Sequence, residues 1–219
     1  MIRDEAGIAA VEFALILPLM LMIYLGLVEL SRGMRTAQKL DLVAHTIADL
    51  TAQQLAGGAA VGQAGLTEVD IQGIFAAATT LMSPLPTNLL QMTISEVTIS
   101  SPAANTWQAK TTWSIGKNGA TLRPCQVLAP GSPAPVSFTT LPAAYTTVTN
   151  GANPIIGPII AADVIYQYSP GVNFELFKWK SPPTWTMQRT SYAPVRNTYA
   201  PPHIQYLMTT GTNCQAPTP

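Results

Sequence analysis

The sequence predicts an α+β chain: a long N-terminal helix, transmembrane at its start and amphipathic beyond, followed by a helix packed on an antiparallel β-sheet. Three observations predict it. Residues Ile8 to Val28 carry a single charge, Glu12. From Leu40 to Leu55 the apolar residues recur at three- and four-residue steps, the helical period. From Met92 onward the period changes to two, as in strands.

Composition narrows the function classes. The chain has 219 residues, 47% hydrophobic and only 10% charged, against about a quarter charged in an average soluble protein. Eleven Lys and Arg balance eleven Asp and Glu, so no basic surface is available to hold a phosphate backbone, and no nucleic-acid partner is expected. Nineteen Pro and fifteen Gly, with Thr/Ser/Ala stretches after the first third, indicate an uncharged, turn-rich extracytoplasmic domain.

The first element is the helix. At 1.5 Å per residue, Ile8 to Val28 spans about 31 Å, the thickness of a bilayer's hydrocarbon core, so the lipid bilayer is its expected surrounding. Pro18 would break a helix in water, but membrane helices tolerate proline because neighbouring groups re-satisfy the freed carbonyl. A cleaved secretory signal fits less well. Arg3 is offset by Asp4 and Glu5, the apolar run exceeds a signal core, and no A-x-A site precedes a polar start. Instead the chain continues in helical pattern, with Leu40, Val43, Ala44, Ile47, Leu50 and Leu55 on one face and Arg35, Lys39, Asp41 and Asp49 around the others. Span and amphipathic segment read as one helix ending before Gly57-Gly58. A carboxylate at mid-membrane depth costs about 2.5–3.5 kcal/mol on insertion scales, so Glu12 either lies in the headgroup region or is kept for a partner.

After the glycine-rich LAGGAAVGQAGL, Thr67 is a helix cap with Glu68 and Asp70 in the first turn. Ile71, Ile74, Phe75, Ala78, Leu81 and Met82 form the buried stripe, and Pro84 and Pro86 end the helix. QMTISEVTISS then alternates Met92, Ile94, Val97 and Ile99 with polar neighbours, with a phase shift at Glu96-Val97 that marks a bulge. NTWQAKTTWSIG is its hairpin partner, with Trp107 and Trp113 at even separation on one face. PIIAADVIYQYSP and PTWTMQRTSYAPVR supply two more strands. Between them GVNFELFKWKSPP is rich in aromatics and lysine; Phe174, Phe177 and Trp179 either contact another surface or fold back over the sheet edge. The run from Arg123 to Asn153 reads as an irregular excursion tied down at Cys125.

Catalytic signatures are scarce. His45 and His203 are the only histidines, and their placement gives little support to a shared metal site. No G-x-S-x-G, H-E-x-x-H, phosphate-binding loop or G-x-G-x-x-G occurs, and Asp163 reads as an outward-facing strand residue. No enzyme activity, cofactor or metal is expected; a membrane-anchored hydrolase is the competing class.

One resemblance is specific. Gly7, then Ile8-Ala9-Ala10-Val11, then Glu12-Phe13, with Leu17-Pro18 and later Glu29 and Arg32, resembles the N-terminal signature of the TadE/TadG-like family, pseudopilin-like proteins of the tight-adherence (Tad/Flp, type IVc) pilus. VIYQYSP followed by TMQRTSYAPVRN is similar to that family's closing strands. The TadE side is the nearer match, TadG-like proteins being expected to carry a much longer von Willebrand-type domain. The resemblance implies a pilin-like layout and a domain plan: leader peptide 1–7, transmembrane helix 8–30, continuing helix 31–56, Gly/Ala linker 57–66 and periplasmic α+β domain 67–219. It implies cleavage by a prepilin peptidase between Gly7 and Ile8, pairing of Glu12 with the new α-amino group, and register set by Glu12 and Phe13. Expected partners are that peptidase, other Tad pilins or pseudopilins, and inner-membrane platform proteins. The expected role is a minor pilin or pseudopilin in pilus assembly, against a periplasmic scaffold that never enters a filament. Orientation with the N-terminus in the cytoplasm runs against the local count, Arg3 before the span and Arg32, Arg35 and Lys39 after it, but long following domains translocate largely regardless of charge. Cys125 and Cys214 suit one long-range disulfide in an oxidising periplasm, with two buried free thiols the alternative.

Overall fold

The computed structural model describes residues 5–54, 64–103, 106–131, 137–146, 156–170, 184–196, 204–206 and 209–214. The architecture is α+β, as the sequence predicts. The chain divides into two compact units, residues 1–38 with 168–185 and residues 39–167 with 186–219.

Helix α1 runs unbroken from Glu5 to Ala52 with Pro18 inside it. Within the first unit its surface changes character along its length. From Ala9 to Tyr24 every position is exposed; from Leu25 a covered stripe begins, with Leu25, Val28, Glu29, Gly33 and Thr36 at helical spacing. Thr36 Oγ1 donates back to the Arg32 carbonyl at 3.0 Å, which satisfies a buried hydroxyl without leaving the helix.

In the second unit the last turns of α1 bury Leu40, Val43, Ala44 and Ile47, as their spacing predicts. Leu50 departs from the expectation and is 40% exposed, while Ala48, Thr51 and Ala52 complete the buried stripe. The helical period accounts for this, because Leu50 falls about 100° round the helix from the centre of the line that the buried residues follow. Leu55 lies outside the described residues. Helix α2 spans Glu68–Leu81, and Thr67 closes a reciprocal cap with Asp70, its hydroxyl accepting from the Asp70 N–H while its own N–H donates to the Asp70 carboxylate at 2.9 Å. Ile71, Ile74, Phe75, Ala78 and Met82 are buried as predicted; Leu81 is only half-covered.

The strands are β1 (Ala64–Leu66), β2 (Leu90–Ala103), β3 (Thr106–Lys117), β4 (Val127–Gly131), β5 (Thr140–Pro142), β6 (Gly157–Tyr168), β7 (Trp185–Pro194), β8 (Ile204–Tyr206) and β9 (Thr212–Asn213). The main sheet has the order β5-β4-β3-β2-β6-β7, with β9 added to β3. Its centre is antiparallel, β3 and β6 flanking β2. Two pairings are parallel and correct the wholly antiparallel expectation: β4 with β5, and β1 with β8 in a separate two-stranded sheet. Gly131 permits the first, since a Cβ there would lie 2.8 Å from Thr140 Cβ. Ala64–Leu66, taken from sequence as the end of the linker, form β1.

Register resolves the phase shift in β2. Against β6 the strand pairs without a break from Leu90 to Ile99, so Met92, Ile94 and Glu96 share one face and Thr93, Ser95, Val97 and Ile99 the other. Against β3 the pairing jumps, Glu96 facing Trp113 and Val97 facing Thr111, which leaves Thr112 as the extra residue. The bulge therefore belongs to β3, and it places Trp107 and Trp113 on opposite faces rather than the same one. Trp107 packs on the cluster of Val97, Ile99, Ala109, Leu128, Leu141, Ile159 and Ala161. On the other face Lys117 Nζ sits 5.8 Å from the centre of the Phe75 ring, against α2. Both faces of β2 are buried, which is why its polar residues had to find partners inside.

Candidate assembly and anchoring site

The expected processing and register residues lie on the first turns of α1. Gly7 and Ile8 are helical, and Glu12 and Phe13 stand exposed, Phe13 at 66%. Among the described residues Glu12 makes no hydrogen bond or ion pair. Around it the helix offers only apolar surface: Val11, Leu15, Ile16, Leu19, Met20 and Ile23 are each half or more exposed. The most apolar 18-residue window of α1 has a mean hydropathy of 2.3, and none of it is buried. Such surface is stable only in lipid or against other apolar helices.

Further along, two pieces of sequence pattern meet. Glu29 Oε1 accepts from Arg32 at 3.2 Å, and Glu29 Oε2 accepts from the Tyr168 hydroxyl at 3.1 Å. Glu29 and Arg32 lie in the N-terminal stretch and Tyr168 in VIYQYSP, the two stretches that carry the resemblance, so the structure joins them. Tyr168 also packs on Trp185, ring centres 6.2 Å apart.

In the second unit three buried polar groups escaped the sequence reading. Asp163 is 1% exposed rather than outward-facing. Arg123 grips it with two bonds of 2.8 Å, Nε to Oδ2 and Nη2 to Oδ1, and Thr190 donates to Oδ1 at 2.7 Å. The rest of the guanidinium donates to the Ser137 and Thr140 carbonyls at 3.3 and 3.1 Å. Burial disfavours the Arg123 charge, but the Asp163 carboxylate outweighs it and holds the guanidinium above its ordinary pKa. Glu96 is fully buried, and desolvation raises its pKa to about 7 despite the Ile204 N–H at 2.9 Å from Oε2. Trp113, its cross-strand neighbour, donates Nε1 to the Ile204 carbonyl at 3.1 Å, so both polar groups of one β8 residue are held by the pair that the Thr112 bulge aligns.

Cys125 and Cys214 are joined in a disulfide, which selects between the two readings of these residues. His45 shares a 2.9 Å hydrogen bond with Ser191 Oγ through Nδ1, and its Nε2 lies 3.9 Å from Asp41. The composition is that of a nucleophile relay, but Ser191 is 4% exposed beneath the imidazole and presents no hydroxyl to a substrate. The bond ties α1 to β7. His203, Phe174, Phe177, Trp179 and parts of the 123–153 excursion lie outside the described residues.

Among the described residues α1 is the one helix long and apolar enough to cross a membrane, and a single N-terminal helix of this kind fits membrane anchoring. Helix and sheet together define an α+β protein with a long apolar N-terminal helix. Its N-terminal segment matches the model of the TadE family, TadE-like protein, over residues 7–49. That segment, residues 7–49 of 219, is similar to the TadE-like family, a family associated with the Tad pilus. No curated protein and no solved structure matches the chain.

Proposed function

We propose that the chain is a non-enzymatic minor pilin or pseudopilin that takes part in assembly of the tight-adherence, type IVc pilus. In this reading it sits in the bacterial inner membrane with its N-terminus in the cytoplasm and its α+β domain in the periplasm. Prepilin peptidase cuts between Gly7 and Ile8, and Glu12 then pairs with an α-amino group of its own or a neighbouring helix. One observation carries the reading: an exposed apolar helix surface holding a single acid, Glu12, without a partner among the described residues, within the stretch that the TadE-like model matches. An acid on such a surface is costly alone and sets axial register when paired, whereas apolar contacts by themselves allow sliding.

Glu12→Ala tests the register role. Cells carrying it are expected to lose pili while the protein stays inserted and abundant; unchanged piliation rejects the role. Mass spectrometry of the protein from its native host is expected to find a chain beginning at Ile8. Immunogold labelling of sheared pili separates a filament component, which labels, from a scaffold left in the membrane, which does not.

A further inference from the structure

The connection between β6 and β7 begins and ends beside α1. Tyr168 closes β6 and bonds to Glu29; Trp185 opens β7, packs on Tyr168 and remains 54% exposed. Glu29 lies two residues, about 3 Å of helical rise, beyond the exposed Leu27. If α1 is embedded through its uncovered apolar run, that rise sets Glu29, Tyr168 and Trp185 at the level where hydrocarbon gives way to headgroups. The surroundings suit this depth. Tyr24 is 63% exposed about one turn below Glu29, while Arg32, its side chain 58% exposed, and Arg35 lie one to two turns above. Tyrosine and tryptophan favour this zone because an apolar ring with a polar edge fits neither water nor hydrocarbon, and arginine heads reach the lipid phosphates above it.

We propose that Trp185, carried on the buried Tyr168 (5% exposed), forms a second membrane contact, an aromatic foot on the headgroup layer that sets how deeply α1 is seated, with Arg32 and Arg35 engaging anionic lipid phosphates. Glu29 is the joint that holds the foot to the helix. The bilayer, rather than another protein, is the occupant, because Trp185 is tied through Tyr168 and Glu29 to the helix that carries the uncovered apolar run. The inference rests on the membrane-anchoring part of the proposed function and adds a site to it.

The test is depth measurement on the full chain in vesicles of phosphatidylethanolamine and phosphatidylglycerol. A nitroxide is placed at Trp185→Cys or, separately, at Leu21→Cys; the native cysteines are bonded and do not react. Expected is a Leu21 label reached by oxygen and not by a water-soluble nickel chelate, with a Trp185 label that loses nickel accessibility at headgroup depth. A deep Leu21 label with a freely nickel-accessible Trp185 label overturns the foot and leaves anchoring intact. A nickel-accessible Leu21 label overturns anchoring and the foot together. Trp185→Phe, which keeps a ring, supplies a label-free check: lipids brominated near the headgroup are expected to quench less tryptophan fluorescence in this variant than in the unsubstituted chain, and equal quenching overturns the proposal.

Discussion

Glu96 shows how one residue can make stability depend on pH. Its side chain is expected to release its proton near 4.5 in the unfolded chain and near 7 in the folded one. Between those values the folded state holds a proton that the unfolded state has lost. Stability therefore falls as pH rises through that window, and the contribution of Glu96 is constant above it. Fully developed, the loss is on the order of 3 kcal/mol. Glu96→Gln, which still offers an oxygen to the Ile204 N–H, is expected to match the unsubstituted chain at pH 5 and exceed it in melting temperature at pH 8. Arg123 behaves oppositely, because its charge is compensated. Arg123→Ala strands the Asp163 carboxylate and is expected to cost about 3–5 kcal/mol in denaturant unfolding, whereas Arg123→Met with Asp163→Leu costs much less. Neither pair was legible in the sequence. Asp163 and Arg123 are 40 residues apart, and Arg123 stands at the head of a stretch that carries no period. Glu96 sits in an alternating strand where a polar residue ordinarily faces water, and only a second covering layer makes it an interior group.

At the scale of elements, local rules worked where the element depends on its own residues. Thr67, Glu68 and Asp70 announce the start of α2 because a capping box needs nothing beyond its own turn. Thr67→Ala is expected to lower stability by about 1 kcal/mol, read as a shift of the thermal midpoint in detergent. The 3.6-residue period marked Leu40 to Ile47 equally well, and failed at Leu50, where the stripe passes to small residues that hydropathy alone does not single out. For the strands, alternation found β2, β3, β6 and β7. It could not say which member of the β2–β3 pair absorbs the extra residue, because that depends on β6 holding β2 straight. The Trp107 and Trp113 faces followed from that missing fact. Strands β4, β5, β8 and β9, two to five residues each, are too short to show a period.

For the whole molecule, the TadE-like segment and the long apolar helix were legible because both are local and contiguous. The meeting of Glu29 with Tyr168 was not, since a sequence displays its patterns separately and says nothing about which of them touch. The disulfide is one long-range link within the second unit. It closes an 89-residue interval and sits beside the β9–β3 pairing, where the Cys214 N–H donates to the Thr112 carbonyl at 2.8 Å. In the chain-entropy account such a closure contributes up to about 4–5 kcal/mol. Cys125→Ser with Cys214→Ser is expected to lower the unfolding midpoint and to raise amide exchange first in β9 and β8. Exchange confined to α2 would argue against that role.

The hold of Glu96 and Trp113 on Ile204 also bears on the order in which the protein is made. The acid and the indole leave the ribosome 108 and 91 residues before the peptide group they grip. Until residue 204 arrives, Glu96 on β2 and Trp113 on β3 lack the backbone groups that they hold. Helix α1, by contrast, ends at Ala52 and draws its backbone hydrogen bonds from its own residues. The long helix is thus complete early, and the hold on Ile204 forms only once residue 204 has been made.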